Sequence, residues 1–132
     1  MTGSRAERRP PPRPGAGRRA LGRVGEDAAA AWYEAHGYDV LDRNWRCREG
    51  ELDLVARRGS VVVMCEVKTR SGSAFGAPFE AVTITKQRRI RVLAVRWLAG
   101  HATGGADVRF DVASVTLGSD GLPRVEVLEE AF

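Results

Sequence analysis

The sequence predicts one α/β domain, a mixed sheet flanked by helices, and three observations predict it. Two stretches, Arg23 to His36 and Thr85 to Ala99, place apolar residues at helical spacing. Between and after them lie short β-branched or alternating runs bounded by turn residues. The order is helix, strand, hairpin, helix, strand, strand, which suits a sheet with helices packed against it. The chain of 132 residues is enough for one core but not for two.

Each element has its own warrant. Residues 1 to about 20 are dominated by Pro, Gly and Arg and read as a disordered tail, leaving 21–132 as the folded domain. In the first helix Val24, Ala28, Ala31, Trp32 and Ala35 form the expected buried face, and Gly37 supplies a C-terminal stop. Tyr38 to Leu41 reads as a short strand, and Asp42-Arg43-Asn44 as a turn. Glu51 to Ala56 and Val61 to Lys68 read as a β-hairpin around a turn at Arg57-Arg58-Gly59-Ser60. Residues 71–80, rich in Gly and small residues, read as a loop. The second helix should bury Ile90, Leu93, Ala94, Trp97 and Leu98 and turn Arg88, Arg89, Arg91 and Arg96 outward. After a Gly-containing loop from His101 to Ala106, a strand from Val108 to Leu117 is followed by a last strand near Arg124 to Leu128.

Composition narrows the function classes. No apolar run is long enough to span a bilayer, and the Arg-rich start lacks the apolar segment of a secretory signal. Cys47 and Cys65 are far apart, so neither a disulfide framework nor a zinc site is expected, and a reducing cytoplasm fits. The net charge of +4 invites a nucleic-acid reading. However, the first twenty residues hold six arginines against one acid and contribute +5, so the rest of the chain sums to −1. Nucleic-acid binding by the folded body must therefore come from local clustering, or from cations held by its acids.

The hairpin concentrates charge. A four-residue turn sets Glu51 opposite Glu66 and Asp53 opposite Met64. Period-two alternation then puts Glu51, Asp53, Glu66 and Lys68 on one face, with Leu52, Leu54, Cys65 and Val67 on the other. Crowded carboxylates repel, and a hard cation is the usual remedy. Mg²⁺ takes oxygen ligands and often uses one or two carboxylates plus a substrate phosphate. Lys68 can orient a water and offset phosphate charge, completing the set needed for metal-assisted phosphodiester hydrolysis. On spacing alone, a surface ladder pairing Glu66 with Lys68 or an arginine stands equally open.

Gly50-Glu51-Leu52-Asp53-Leu54-Val55 followed by Glu66-Val67-Lys68-Thr69-Arg70 resembles the PD-(D/E)xK nuclease superfamily. More closely, the chain resembles the YraN-like family, small bacterial proteins with a nuclease fold and little assigned biochemistry. Gly25-Glu26, Gly37-Tyr38, Arg43-Asn44, Phe75-Gly76, Lys86 and Arg109-Phe110-Asp111 fit that family's pattern, and the resemblance covers about residues 22–117. It is more distantly similar to archaeal Holliday-junction resolvases. The resemblance implies a restriction-endonuclease-like core, Asp53 and Glu66 as ligands of Mg²⁺ or Mn²⁺, Lys68 as the catalytic lysine, and Glu26 as a helix-borne acid of the site. Leu52 stands where the superfamily name has proline.

Other candidates follow from position. Glu26 falls off the Val24–Trp32 face, and a carboxylate in a first helical turn also simply complements the helix dipole. Glu51 ranks below Asp53 as a metal ligand. Lys86 lies near the start of the second helix on its core side, where it either reaches the site or snorkels to solvent. Arg70, Arg88 and Arg89 are candidates for phosphate contact, with a solvated face as the plainer role for the last two. Arg109 and Asp111, two apart on a strand, share a face and are expected to pair. His36 and His101 carry no assigned role, while Trp32 and Trp97 are most simply core. The expected function is metal-dependent hydrolysis of DNA or structured nucleic acid; the alternative is a non-catalytic nucleic-acid-binding or interaction module. Symmetric cleavage would require a homodimer.

Overall fold

A computed structural model describes residues 16–71 and 82–132. The elements are α1 (Ala16–Ala35), β1 (Asp39–Cys47), β2 (Gly50–Arg58), β3 (Val61–Ser71), α2 (Ile84–Ala99), β4 (Asp107–Leu117) and β5 (Pro123–Leu128). The five strands form one sheet in sequence order. β1 to β3 are antiparallel, β4 joins β3 in parallel after the α2 crossover, and β5 returns antiparallel. α2 packs on one face through Ile90, Leu93, Ala94 and Trp97, against Val55, Val62, Met64 and Val112. α1 packs on the other through Ala29, Ala30 and Tyr33, against Leu54, Val63, Cys65 and Val115. A mixed sheet with a helix on each face is the α/β arrangement expected of a restriction-endonuclease-like core. No helix among the described residues is long and apolar enough to cross a membrane.

Several local expectations change. α1 begins at Ala16, well before Arg23, so the end of the segment read as tail is helical. Ala, Arg and Leu there are good helix formers but form no apolar stripe, so periodicity is silent about them. The rest of that tail and the 72–80 portion of the expected loop lie outside the described residues. The buried face of α1 is also rotated. Val24 is 41% exposed, whereas Ala29 and Tyr33 are fully buried. Glu26, three, four and seven residues before Ala29, Ala30 and Tyr33, therefore lies on the sheet-facing stripe rather than off it.

Asp42-Arg43-Asn44 is not a turn but the middle of β1. The strand absorbs these turn formers through a register shift between Val40 and Asp42 and a left-handed φ of 53° at Asn44. The β2–β3 turn is tighter than expected. Arg57 and Arg58 pair with Val62 and Val61, leaving Gly59 and Ser60 to turn, with Gly59 at φ 59°. The register thus slides by two residues, an even step that keeps side chains on their faces. Val55, not Asp53, faces Met64, and Leu54 faces Cys65. The next step brings Asp53 opposite Glu66, so the expected Glu51–Glu66 pair does not form.

Leu52 departs from alternation too. It is buried in the α2-side cluster with Val55 and Met64, whereas Leu54 belongs to the α1 side. Alternation therefore breaks between Leu52 and Leu54, at Asp53. The β2–β3 ladder reaches no further than Leu54–Cys65, and the Val67 N–H donates instead to Asp53 Oδ2 at 2.9 Å.

Candidate functional site

The break in the ladder makes the site. Where β2 and β3 cease to pair, the Asp53 carboxylate fills a place the backbone would otherwise occupy, and Glu66 lies beside it. Burial pushes the Asp53 carboxyl up to about 8; the Glu66 charge and a hydrogen bond to Glu66 add to the rise, the Val67 N–H opposes it, and Glu26 adds a smaller push. Two carboxylates this close cannot both ionise cheaply without a cation. Glu66 is only 12% exposed at its side chain, and Lys86 Nζ reaches its Oε2 at 3.2 Å. α2 positions that lysine: Thr83 caps the helix by accepting from the Lys86 N–H at 3.1 Å, fixing the first turn above β3.

Lys68 follows Glu66 by two residues on β3, is half-buried, and has no ion-pair partner among the described residues. Glu26 arrives from α1. The helix can come close because Gly25 has no side chain: a Cβ there would stand 2.8 Å from Thr69 Cβ on β3. Glu51 turns elsewhere, pairing with Arg46 across the β1–β2 ladder at 3.2 Å, yet it still edges a crevice shared with Asp53, Glu66 and Ile90. Arg70 is half-buried one alternation beyond Lys68. Arg88 and Arg89 are exposed on α2, with Arg89 lying over the start of β2 near Gly50. The structure thus brings Glu26, Asp53, Glu66 and Lys86 together, sets Lys68 one alternation beyond Glu66 on β3, and leaves Arg88 on the solvent face.

Among the described residues, no group of three or more acidic, histidine or cysteine side chains is gathered as a metal cage. The donor set that does fit a cation is the Asp53–Glu66 pair, whose proton stands where a positive charge would serve. This matches the habit of Mg²⁺ to take one or two carboxylates and complete its shell with water and substrate oxygen.

A second polar cluster lies on the α1 side. Asp111 is fully buried and accepts from Tyr33 Oη at 2.6 Å, from Arg109 Nε and Nη2 at 2.9 Å each, and from the Glu130 N–H at 3.1 Å. Arg109 also donates to Tyr38 Oη at 2.8 Å. The expected Arg109–Asp111 pair is present; Tyr33 and Tyr38 carried no polar signal in the sequence. His36 and His101 each stack on the tryptophan four residues earlier, at 3.8 and 3.9 Å, and each sets its Nδ1 against that tryptophan's carbonyl. Both are helix-end devices.

Beside Glu26 a cavity of about 520 Å³ opens between α1 and β1, lined by Arg19, Gly22, Arg23, Glu26, Asn44, Arg46 and Glu51. The pattern of the sequence does not flag its three arginines, because charged residues at such positions read as solvated faces.

The profile of the uncharacterised protein family UPF0102 matches residues 25–115. A UPF0102 protein of Frankia casuarinae is 57% identical over 113 residues, 86% of this chain and 96% of its own length. One from Rhodococcus opacus is 49% identical over 113 residues, again 86% and 96% of the two chains. One from Anaeromyxobacter dehalogenans is 50% identical over 118 residues, 89% of this chain and 87% of its own.

Proposed function

The chain belongs to UPF0102, the YraN-like family, and we propose that it is a divalent-metal-dependent nuclease hydrolysing phosphodiester bonds in DNA or structured nucleic acid. One observation carries this reading. Asp53 is buried beside Glu66 at a break in the sheet, and burial first, then the Glu66 carboxylate, lets Asp53 hold its proton up to about 8. A fold keeps such a pair at a cost in stability, and a cation relieves that cost.

Asp53 and Glu66 would hold Mg²⁺ or Mn²⁺, which when bound polarises a phosphoryl oxygen and stabilises the charge that develops on it. Lys68, free of an ion-pair partner among the described residues, presents its ammonium to the phosphate and to the attacking water. Lys86 holds Glu66 in place from α2. Glu26 adds negative charge next to Asp53, strengthening the draw on a cation. Arg70, one alternation beyond Lys68, would meet the flanking backbone.

The test is cleavage of branched, single-stranded and duplex DNA with Mg²⁺ or Mn²⁺. Asp53→Ala and Lys68→Ala should each lower the rate by about 10²- to 10³-fold, the scale of losing one electrostatic contributor to a transition state. Cleavage unchanged in both variants would refute the mechanism. A non-catalytic binding module would instead bind nucleic acid with steep salt dependence and show no metal-dependent cleavage.

A further inference from the structure

We infer that the cavity between α1 and β1 is a binding channel for the sugar–phosphate backbone of a single nucleic-acid strand, which it leads to the Asp53–Glu66 pair. This inference rests on the nuclease reading and adds the substrate's form and its path. Arg19, Arg23 and Glu26 succeed one another at steps of four and three residues, so they line one side of α1. Arg46, on β1, forms part of the facing wall with Asn44 and Glu51. The arginines occupy the N-terminal end of the α1 wall. Glu26, whose charge reaches Asp53, occupies the other end, roughly 10 Å along the axis from Arg19 at 1.5 Å per residue. The channel is thus graded: guanidinium groups first, then carboxylates beside the site.

The charges do not cancel. Among the described residues three arginines face two acids, and of the three only Arg46 has an ion-pair partner there, Glu51 at 3.2 Å. Arg23 and Arg46 are exposed and present planar donors matched to phosphate oxygens. A volume of about 520 Å³ is on the scale of one drug-sized ligand. It takes a nucleotide or two of single strand and is too small to hold both strands of a duplex. Among the described residues no aromatic side chain lines the channel, so the walls described offer bases no stacking platform and binding should ignore sequence. The path lies on the α1–β1 side, away from the α2 arginines Arg88 and Arg89.

The test is fluorescence anisotropy with a labelled oligothymidylate in EDTA, so that no cleavage intervenes, titrated with salt from about 50 to 200 mM. Arg23→Ala and Arg46→Ala should each weaken binding about fivefold and flatten the slope of log K against log salt by about 0.7, the share of one single-strand phosphate. Arg124→Ala, on the far strand β5, should change neither, and a duplex of equal length should bind more weakly. The inference is overturned by wild-type protein that does not bind the single strand, by Arg23→Ala and Arg46→Ala binding as tightly as wild type, by tighter binding of the duplex, or by losses carried by Arg88→Ala and Arg89→Ala instead. Metal-dependent cleavage with arginine-independent binding would refute the channel alone; arginine-dependent binding without any cleavage would refute the nuclease reading alone.

Discussion

Asp53 and Asp111 are both aspartates on strands inside the sheet, both largely withdrawn from water, and their surroundings are opposite. Asp111 is saturated by Tyr33, a two-pronged Arg109 and the Glu130 N–H. Asp53 has the Val67 N–H on one side and another carboxylate on the other. The fold neutralises the first acid with its own side chains and leaves the second to hold a proton. A buried charge that the protein fully satisfies is a structural element; one that it leaves half satisfied is a place for something to bind. Removing each acid should therefore have opposite consequences.

The largest effect should be Asp111→Ala. Breaking a buried pair leaves Arg109, which is only 14% exposed, with Tyr38 and the half-exposed Glu129 as its remaining partners, and should cost about 3 kcal/mol in urea unfolding. Asp53→Asn should leave stability unchanged or slightly raised at neutral pH, because it removes the cost of keeping, in the folded state, a proton that the unfolded chain gives up. If both substitutions cost the same, the contrast fails.

Next in size is Gly25→Ala, which forces α1 away from Thr69 and should cost about 1–3 kcal/mol, as overpacking does. The double variant Gly25→Ala/Thr69→Gly should recover part of that loss. Additive losses would show that this close approach does not set the position of α1, and hence of Glu26.

The pH dependence of the cation-free protein sharpens the contrast further. Asp53 ionises near 3.8 when unfolded and near 8 when folded. Between those values the unfolded chain gives up a proton that the folded chain keeps, so Asp53's contribution to stability falls as pH rises from about 4 to 8 and levels off above. Wild-type unfolding curves should carry this slope, and Asp53→Asn should lack it. An unchanged slope in the variant would assign the titration to another group.

The smallest effect should be Lys86→Met. The lysine is 43% exposed, so its pair with Glu66 should add no more than about 1 kcal/mol to stability. Cleavage should fall more than stability does, because Glu66 loses its anchor. A variant that lost stability but kept full activity would make Lys86 purely structural.

What the sequence revealed follows the same division. The meeting of Asp53 with Glu66 was legible because an even slip of register keeps opposed side chains on one face. The register itself was not, since Arg57 and Arg58 read as turn residues until Gly59 and Ser60 are seen to turn alone. The buried side of α1 was hidden by the run Ala28 to Ala31, where every face looks equally apolar, and Tyr33 decides it. That rotation moved Glu26 from a doubtful position onto the sheet-facing stripe. Arg109 and Asp111 announced their pairing by spacing. Tyr33 lies 78 residues away from Asp111, and no local pattern could supply it.

The most direct test is calorimetric titration of the intact chain with Mn²⁺ at about pH 7, run in buffers of different ionisation enthalpy, for wild type and Asp53→Asn. Mn²⁺ should bind the wild type with release of up to about one proton, and the variant should bind it much more weakly and release none. Equal affinity and equal proton release in the two proteins, or no binding to the wild type, would contradict the claim that Asp53 and Glu66 form a cation site.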